Sequence, residues 1–114
     1  MNMLLKPRRL DDVVILVLSG RITIGEGTVV LRDTIRNLLD GGDRKVLLNL
    51  ADVDYIDSSG LGELVTAFTT VRNNGGELKL VNLTKRVHDL LQITKLLTVF
   101  ESCNDEAEAR KSMK

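Results

Sequence analysis

Apolar positions change their period along this chain, and each change marks an element. Val13-Val14-Ile15-Leu16-Val17-Leu18 is continuous, which predicts a strand covered on both faces and broken at Ser19-Gly20. Leu4 to Leu10 reads as an edge strand that tolerates Pro7, with Asp11-Asp12 as the turn after it. Beyond Arg21-Ile22-Thr23-Ile24 and a glycine-containing turn, Leu31, Ile35, Leu38 and Leu39 repeat at helical spacing until Gly41-Gly42 ends them. Lys45 to Leu50 predicts a central strand, and the aspartates within Ala51 to Asp57 predict a turn. Leu61, Leu64, Val65, Phe68 and Val71 then share one helical face, ending near Arg72 with a stop at Asn73 to Gly76. Leu78 to Val81 reads as another strand, and Val87, Leu90 and Leu91 as a short helix capped by Thr84. Leu97 to Phe100 predicts a last short strand. Asp105 to Lys114 predicts a helix with acids first, bases last and Glu106 four residues before Arg110.

Strands alternating with helices predict an α/β fold with a mixed, partly parallel sheet. At 114 residues the chain suits one domain, residues 1–114, without repeats or linkers. Sixteen basic and sixteen acidic side chains cancel, which argues against nucleic acid, whose binding rests on neutralising phosphates. Cys103 is the lone cysteine and so makes no disulfide within the chain, as suits a reducing compartment; cytoplasm is the expected location. The first twelve residues lack the apolar core of a signal peptide, and Val13 to Leu18 is too short to span a bilayer, so no membrane insertion is expected. Lys6, Arg8 and Arg9 read as solvated charges of an edge strand.

Catalytic chemistry is hard to assemble from these residues. His88, the single histidine, lies beside the apolar stripe of a short helix, and no base, nucleophile and oxyanion device can be grouped. Asp52, Asp54 and Asp57 alternate as in a calcium loop, but the glycine and distal glutamate of such a loop do not match. Gly25-Glu26-Gly27 lacks the Lys-Ser/Thr ending of a phosphate loop. The reading is a chain with no catalytic residue, no metal and no cofactor of its own.

The chemistry-bearing stretch is Asp57-Ser58-Ser59-Gly60-Leu61-Gly62, two hydroxyls beside an acid where a helix opens. Capping alone accounts for such residues, because short polar side chains satisfy the unpaired N–H groups of a helix start. The positive end of the helix also tolerates an anion, and the glycines allow close approach of a partner.

This stretch, preceded by Val46-Leu47-Leu48-Asn49-Leu50 and Asp54-Tyr55-Ile56 and followed by Asn74-Gly75-Gly76-Glu77-Leu78, resembles a STAS domain. More narrowly, it resembles the stand-alone bacterial anti-sigma-factor antagonists of sporulation and general stress. The resemblance covers nearly the whole chain. It implies a mixed sheet of four or five strands covered by about four helices, with Ser58 as the phospho-acceptor exposed at the start of the second helix. It further implies an anti-sigma factor that is itself a serine kinase as partner and a PP2C-type phosphatase that restores the hydroxyl. The free protein is expected to be a monomer. Asp57 would orient the acceptor, Ser59 would cap the helix, and Gly60, Leu61 and Gly62 would offer docking surface, although Leu61 could equally open the apolar stripe. Thr23 and Ile24 lie in a loop expected to frame that surface, and Thr23 stands where several family members carry an acid. Lys95 stands where a helix-ending glycine is common. Two other readings stay open: a non-switching STAS scaffold of a stress-sensing or lipid-transport complex, and a small nucleotide-binding or hydrolytic domain, which rests on α/β architecture alone.

Overall fold

The computed structural model describes residues 3–100 and 102–113. Five strands, β1 (Leu4–Leu10), β2 (Val13–Ile22), β3 (Lys45–Ile56), β4 (Glu77–Val81) and β5 (Ser102–Cys103), form one sheet in the order β1-β2-β3-β4-β5. β1 runs antiparallel to β2, and the remaining neighbours are parallel. The parallel connections are made by α1 (Glu26–Asp40), α2 (Ser58–Asn73) and α3 (Lys85–Ile93), while α4 (Glu106–Ser112) follows β5.

Alternation along the strands divides the core in two. Val14, Leu16, Leu18, Val46, Leu48, Leu50 and Leu80 face Leu31 and Ile35 of α1, Leu64 and Val71 of α2, and Val87 and Leu91 of α3. Val13, Ile15, Leu47 and Val81 point the other way, onto Ala109 and Met113 at the C-terminal helix. The buried run in β2 is thus covered on both faces, as its continuous apolar sequence predicts.

Several boundaries differ from the sequence reading. Ser19-Gly20 does not break β2, because register shifts around Ser19 and Gly20 act as bulges and pairing resumes at Arg21. Ala51 to Ile56 is strand rather than turn. It pairs with the extended end of β2, Ser19 opposite Asp52 and Ile22 opposite Ile56. β4 ends at Val81, opposite Asn49, so beyond that point β3 has one neighbour and its aspartates reach water. Leu97 to Phe100 is a turn, and the last strand is Ser102–Cys103. Phe100 serves the core instead of a ladder: it is fully buried and meets Phe68 edge-on at 5.5 Å.

α4 forms as predicted up to Ser112, with Lys114 outside the described residues, and Asp105 caps it by accepting from the Glu108 N–H at 2.8 Å. The Glu106 and Arg110 side chains pair with other elements. Glu106 accepts from Arg8 at 2.7 Å and Asn49 at 2.8 Å, and Arg110 donates to Asp11 at 2.8 Å. Arg9 donates to Asp43 at 2.8 Å, so two of the edge-strand charges fasten β1 to the rest of the domain. Lys95 adopts φ 63°, the left-handed conformation that explains why a glycine suits that helix end.

Candidate functional site

The parallel pairing of β2 and β3 brings their C-terminal ends together, Ile22 beside Ile56, and both chains leave the sheet there. Asp57 is the residue that holds them. Its N–H donates to the Ile22 carbonyl at 3.3 Å, one carboxylate oxygen accepts from the Gly60 N–H at 2.7 Å, and the other from the Ile24 N–H at 3.1 Å. Asp57, in extended conformation, is therefore the N-cap of α2, and the expectation that Ser59 caps the helix is corrected. Asp57 comes first in the turn, where its oxygen reaches the N–H three residues on; Ser59 already lies within the helix.

The hydrogen bonds from Gly60 and then Ile24 hold the Asp57 carboxyl below its ordinary pKa, with a smaller contribution from the Ser59 N–H. A depressed carboxyl stabilises the fold above its ordinary pKa of about 4 and loses that contribution as pH falls through the folded value. Asp57→Ala is accordingly expected to lower Tm at pH 7 by a few degrees, with the gap to the parent closing in acid. Thermal unfolding followed by circular dichroism at pH 7 and pH 3 checks this, and a gap that does not narrow contradicts it.

The predicted site residues meet around this cap but are not equally available. Ser58 occupies the first position of α2 and is exposed; among the described residues its hydroxyl has no hydrogen-bond partner. Ser59 is half-buried. Gly60 is buried, and a Cβ there would sit 2.0 Å from the Ile22 carbonyl oxygen, so this glycine serves the packing of α2 on β2 rather than a partner's approach. Leu61 is 9% exposed and belongs to the core, which decides between its two readings. Gly62 is exposed with open space around it. Thr23 is half-buried, and Ile24 projects at 76% exposure beside the cap that its own N–H helps to form. Gly25 follows with φ +101°, turning the chain into α1.

On the other flank lies a groove of about 730 Å³ that the sequence reading did not anticipate. Tyr55 and Ile56 line one side, Leu90 and the 79%-exposed Ile93 of α3 the other, with Lys85 and Arg86 at its margin. The Arg21 guanidinium lies 5.6 Å from the Tyr55 ring. A signal was present in the alternation of Val53, Tyr55 and the intervening aspartates, which the turn assignment hid. Below the cap, buried Glu63 accepts from Arg32 at 2.7 Å and ties α2 to α1.

His88 is half-buried on α3 with Nδ1 3.5 Å from Asp89, away from the serine pair. No three His, Cys, Asp or Glu side chains among the described residues converge as a metal centre would require. None of the described helices is long and apolar enough to cross a membrane.

A cap that joins two loops under an exposed serine can be compared with known proteins. The model of the STAS domain matches residues 5–109. This chain belongs to the STAS domain family. The Bacillus subtilis anti-sigma-B factor antagonist is 34% identical to this chain over 84 residues, covering 74% of this chain and 75% of that protein. The crystal structure of the Thermotoga maritima protein TM1081 superposes with a TM-score of 0.88 at 28% identity, covering 96% of this chain and 93% of the other. The phosphorylated form of Bacillus SpoIIAA shares the fold at a TM-score of 0.73 and 18% identity, with 95% and 97% of the two chains covered.

Proposed function

We propose that this STAS domain is an anti-sigma-factor antagonist that switches partners through Ser58. Its unphosphorylated form binds an anti-sigma factor that is also a serine kinase, and the sigma factor is released. Phosphorylation of Ser58 reverses the binding, and a PP2C-type phosphatase restores it. ATP and magnesium belong to the kinase, and this chain is substrate and ligand without catalysis of its own. The observation that carries the reading is the exposed Ser58 hydroxyl at the first turn of α2, directly after the Asp57 cap. The relative named as an anti-sigma-B factor antagonist supports the partner class.

The geometry suits a switch that leaves the fold alone. A phosphate adds about 1.5 to 2 negative charges at neutral pH, and the positive end of the 16-residue α2 partly stabilises them. Asp57 keeps its own backbone donors, so the modification need not break the cap. Ile24, Gly62 and the neighbouring Tyr55–Ile93 groove form the surface that the kinase would cover. A kinase surface shaped for a neutral hydroxyl would meet this added charge with repulsion.

Incubation with the cognate anti-sigma kinase, ATP and magnesium is expected to add one phosphoryl group, located on Ser58 by peptide mass analysis. Ser58→Ala is expected to take none. An unmodified parent protein in a complex that does form would favour the non-switching scaffold instead.

A further inference from the structure

We infer that the groove between Tyr55 and Ile93 seats an apolar segment of the anti-sigma kinase that carries carboxylates at its margin. The inference rests on the partner-switching reading and adds to it the chemistry of the docking segment and the residues that select it.

The groove exists because one strand stops early. β4 ends at Val81, opposite Asn49, and the chain turns away through Asn82, at φ 56°, to the Thr84 cap of α3. β3 runs on to Ile56, so its end faces α3 instead of a neighbouring strand. Val87 and Leu91, four residues apart on α3, are buried and hold the helix on the core. Arg86, Leu90 and Ile93, at i, i+4 and i+7, form a second column along the groove. A helix that only covered the core would end in a polar residue here, yet Ile93 stands 79% exposed, and Tyr55 across the cleft is 40% exposed. One exposed apolar side chain is ordinary, whereas two that face each other across a cleft mark a binding surface. Tyrosine and arginine are also the residue types that most often anchor interfaces.

Charge chooses the occupant. Lys85 and Asp89 line the groove and pair with each other at 2.9 Å. Arg86 is exposed and has no ion-pair partner among the described residues; the same holds for Arg21, 5.6 Å from the Tyr55 ring. Asp52 and Asp54 are exposed on β3 but do not line the groove. Two free guanidiniums therefore flank an apolar floor, and each can take a carboxylate in a two-pronged hydrogen bond. A second copy of this chain, seated here about a two-fold axis, would bring those same cations together. The kinase is the partner in reach, because Ile56 in the groove wall is followed directly by Asp57 and Ser58. Acidic character in its docking segment also suits a surface that a phosphate on Ser58 would repel.

Isothermal titration of the cognate anti-sigma kinase into the unphosphorylated protein tests this. Ile93→Ala and Arg86→Glu are each expected to weaken binding roughly tenfold or more, with Tm unchanged because both side chains are exposed. Arg86→Glu should also flatten the fall of the association rate between about 50 and 500 mM salt. Leu10→Ala, at the other end of the sheet and partly exposed, is the control and should leave affinity unchanged. Parental affinity in both variants, toward a kinase that still phosphorylates Ser58, overturns the groove inference and leaves the switch standing. A loss at Ile93 with parental affinity for Arg86→Glu overturns the acidic segment. Weakened binding of both variants, with no phosphate taken up by Ser58, supports the groove and removes the switch. A parent protein that does not bind the kinase overturns both.

Discussion

Gly60→Ala is expected to destabilise the domain by about 3 kcal/mol, the upper end of ordinary overpacking costs. The new Cβ would meet the Ile22 carbonyl oxygen at 2.0 Å, its carbon at 2.8 Å and Ile56 Cγ1 at 2.9 Å. Two of those atoms are backbone of a paired strand, so no rotamer change relieves the contact. Either α2 lifts off the sheet and breaks the Asp57–Gly60 cap, or the end of β2 moves. For a domain of this size the change corresponds to a fall in Tm of roughly 10 to 15 °C, read by circular dichroism or by the midpoint of urea unfolding. Gly62→Ala is the control: it has open space around it and gains helix propensity, so it should be neutral or stabilising by up to about 1 kcal/mol. Equal costs at the two glycines would contradict the close packing of α2 on β2.

The contrast between these glycines was not legible in the sequence, where both read as open docking surface. Their difference depends on where the end of β2 lies, and that end was displaced by reading Ser19-Gly20 as a break. Bulges let β2 continue to Ile22, and its carbonyl then occupies the space a side chain at Gly60 would need. A two-residue Ser-Gly signal cannot separate a bulge from a turn, because glycine suits both. The aspartates of β3 misled for a related reason. They suit a turn, but a strand with one neighbour at the sheet's margin also leaves alternate side chains in water.

Long-period signals served better than short ones. The apolar stripe of α2, the doubly buried β2 and the order of alternating elements all appear in the structure, because each rests on several residues that must face one core. Leu97 to Phe100 shows the limit: four apolar-rich residues fit a strand or a buried turn, and the Phe68–Phe100 contact that decides between them is non-local. At the site, the Asp-Ser-Ser-Gly order placed the helix start correctly. It gave the cap to Ser59 where Asp57 holds it, since both side chains are competent, and the Ile24–Asp57 bond that joins a loop 33 residues away is visible only in three dimensions.

Ser58→Asp is expected to bind the anti-sigma kinase roughly 30- to 150-fold more weakly than Ser58→Ala, equivalent to about 2 to 3 kcal/mol at tenfold per 1.4 kcal/mol. Ser58→Ala removes a hydroxyl that makes no hydrogen bond within the described residues, so both the fold and the docking surface should persist. Ser58→Asp places a carboxylate one residue from Asp57, on a surface proposed to accept a neutral side chain. Within the free domain that charge is tolerated by the N-terminus of α2, so the variant should keep its Tm within a degree or two of the parent. This separation of effects is what distinguishes a charge switch from damage: affinity changes while stability does not. A carboxylate carries less charge than a phosphate, so phosphorylated Ser58 should bind at least as weakly as Ser58→Asp. Isothermal titration with the kinase, beside thermal unfolding of each variant, reads both quantities. Equal affinities for the two variants would contradict the electrostatic mechanism, and weak binding of Ser58→Ala would instead make the hydroxyl itself a contact.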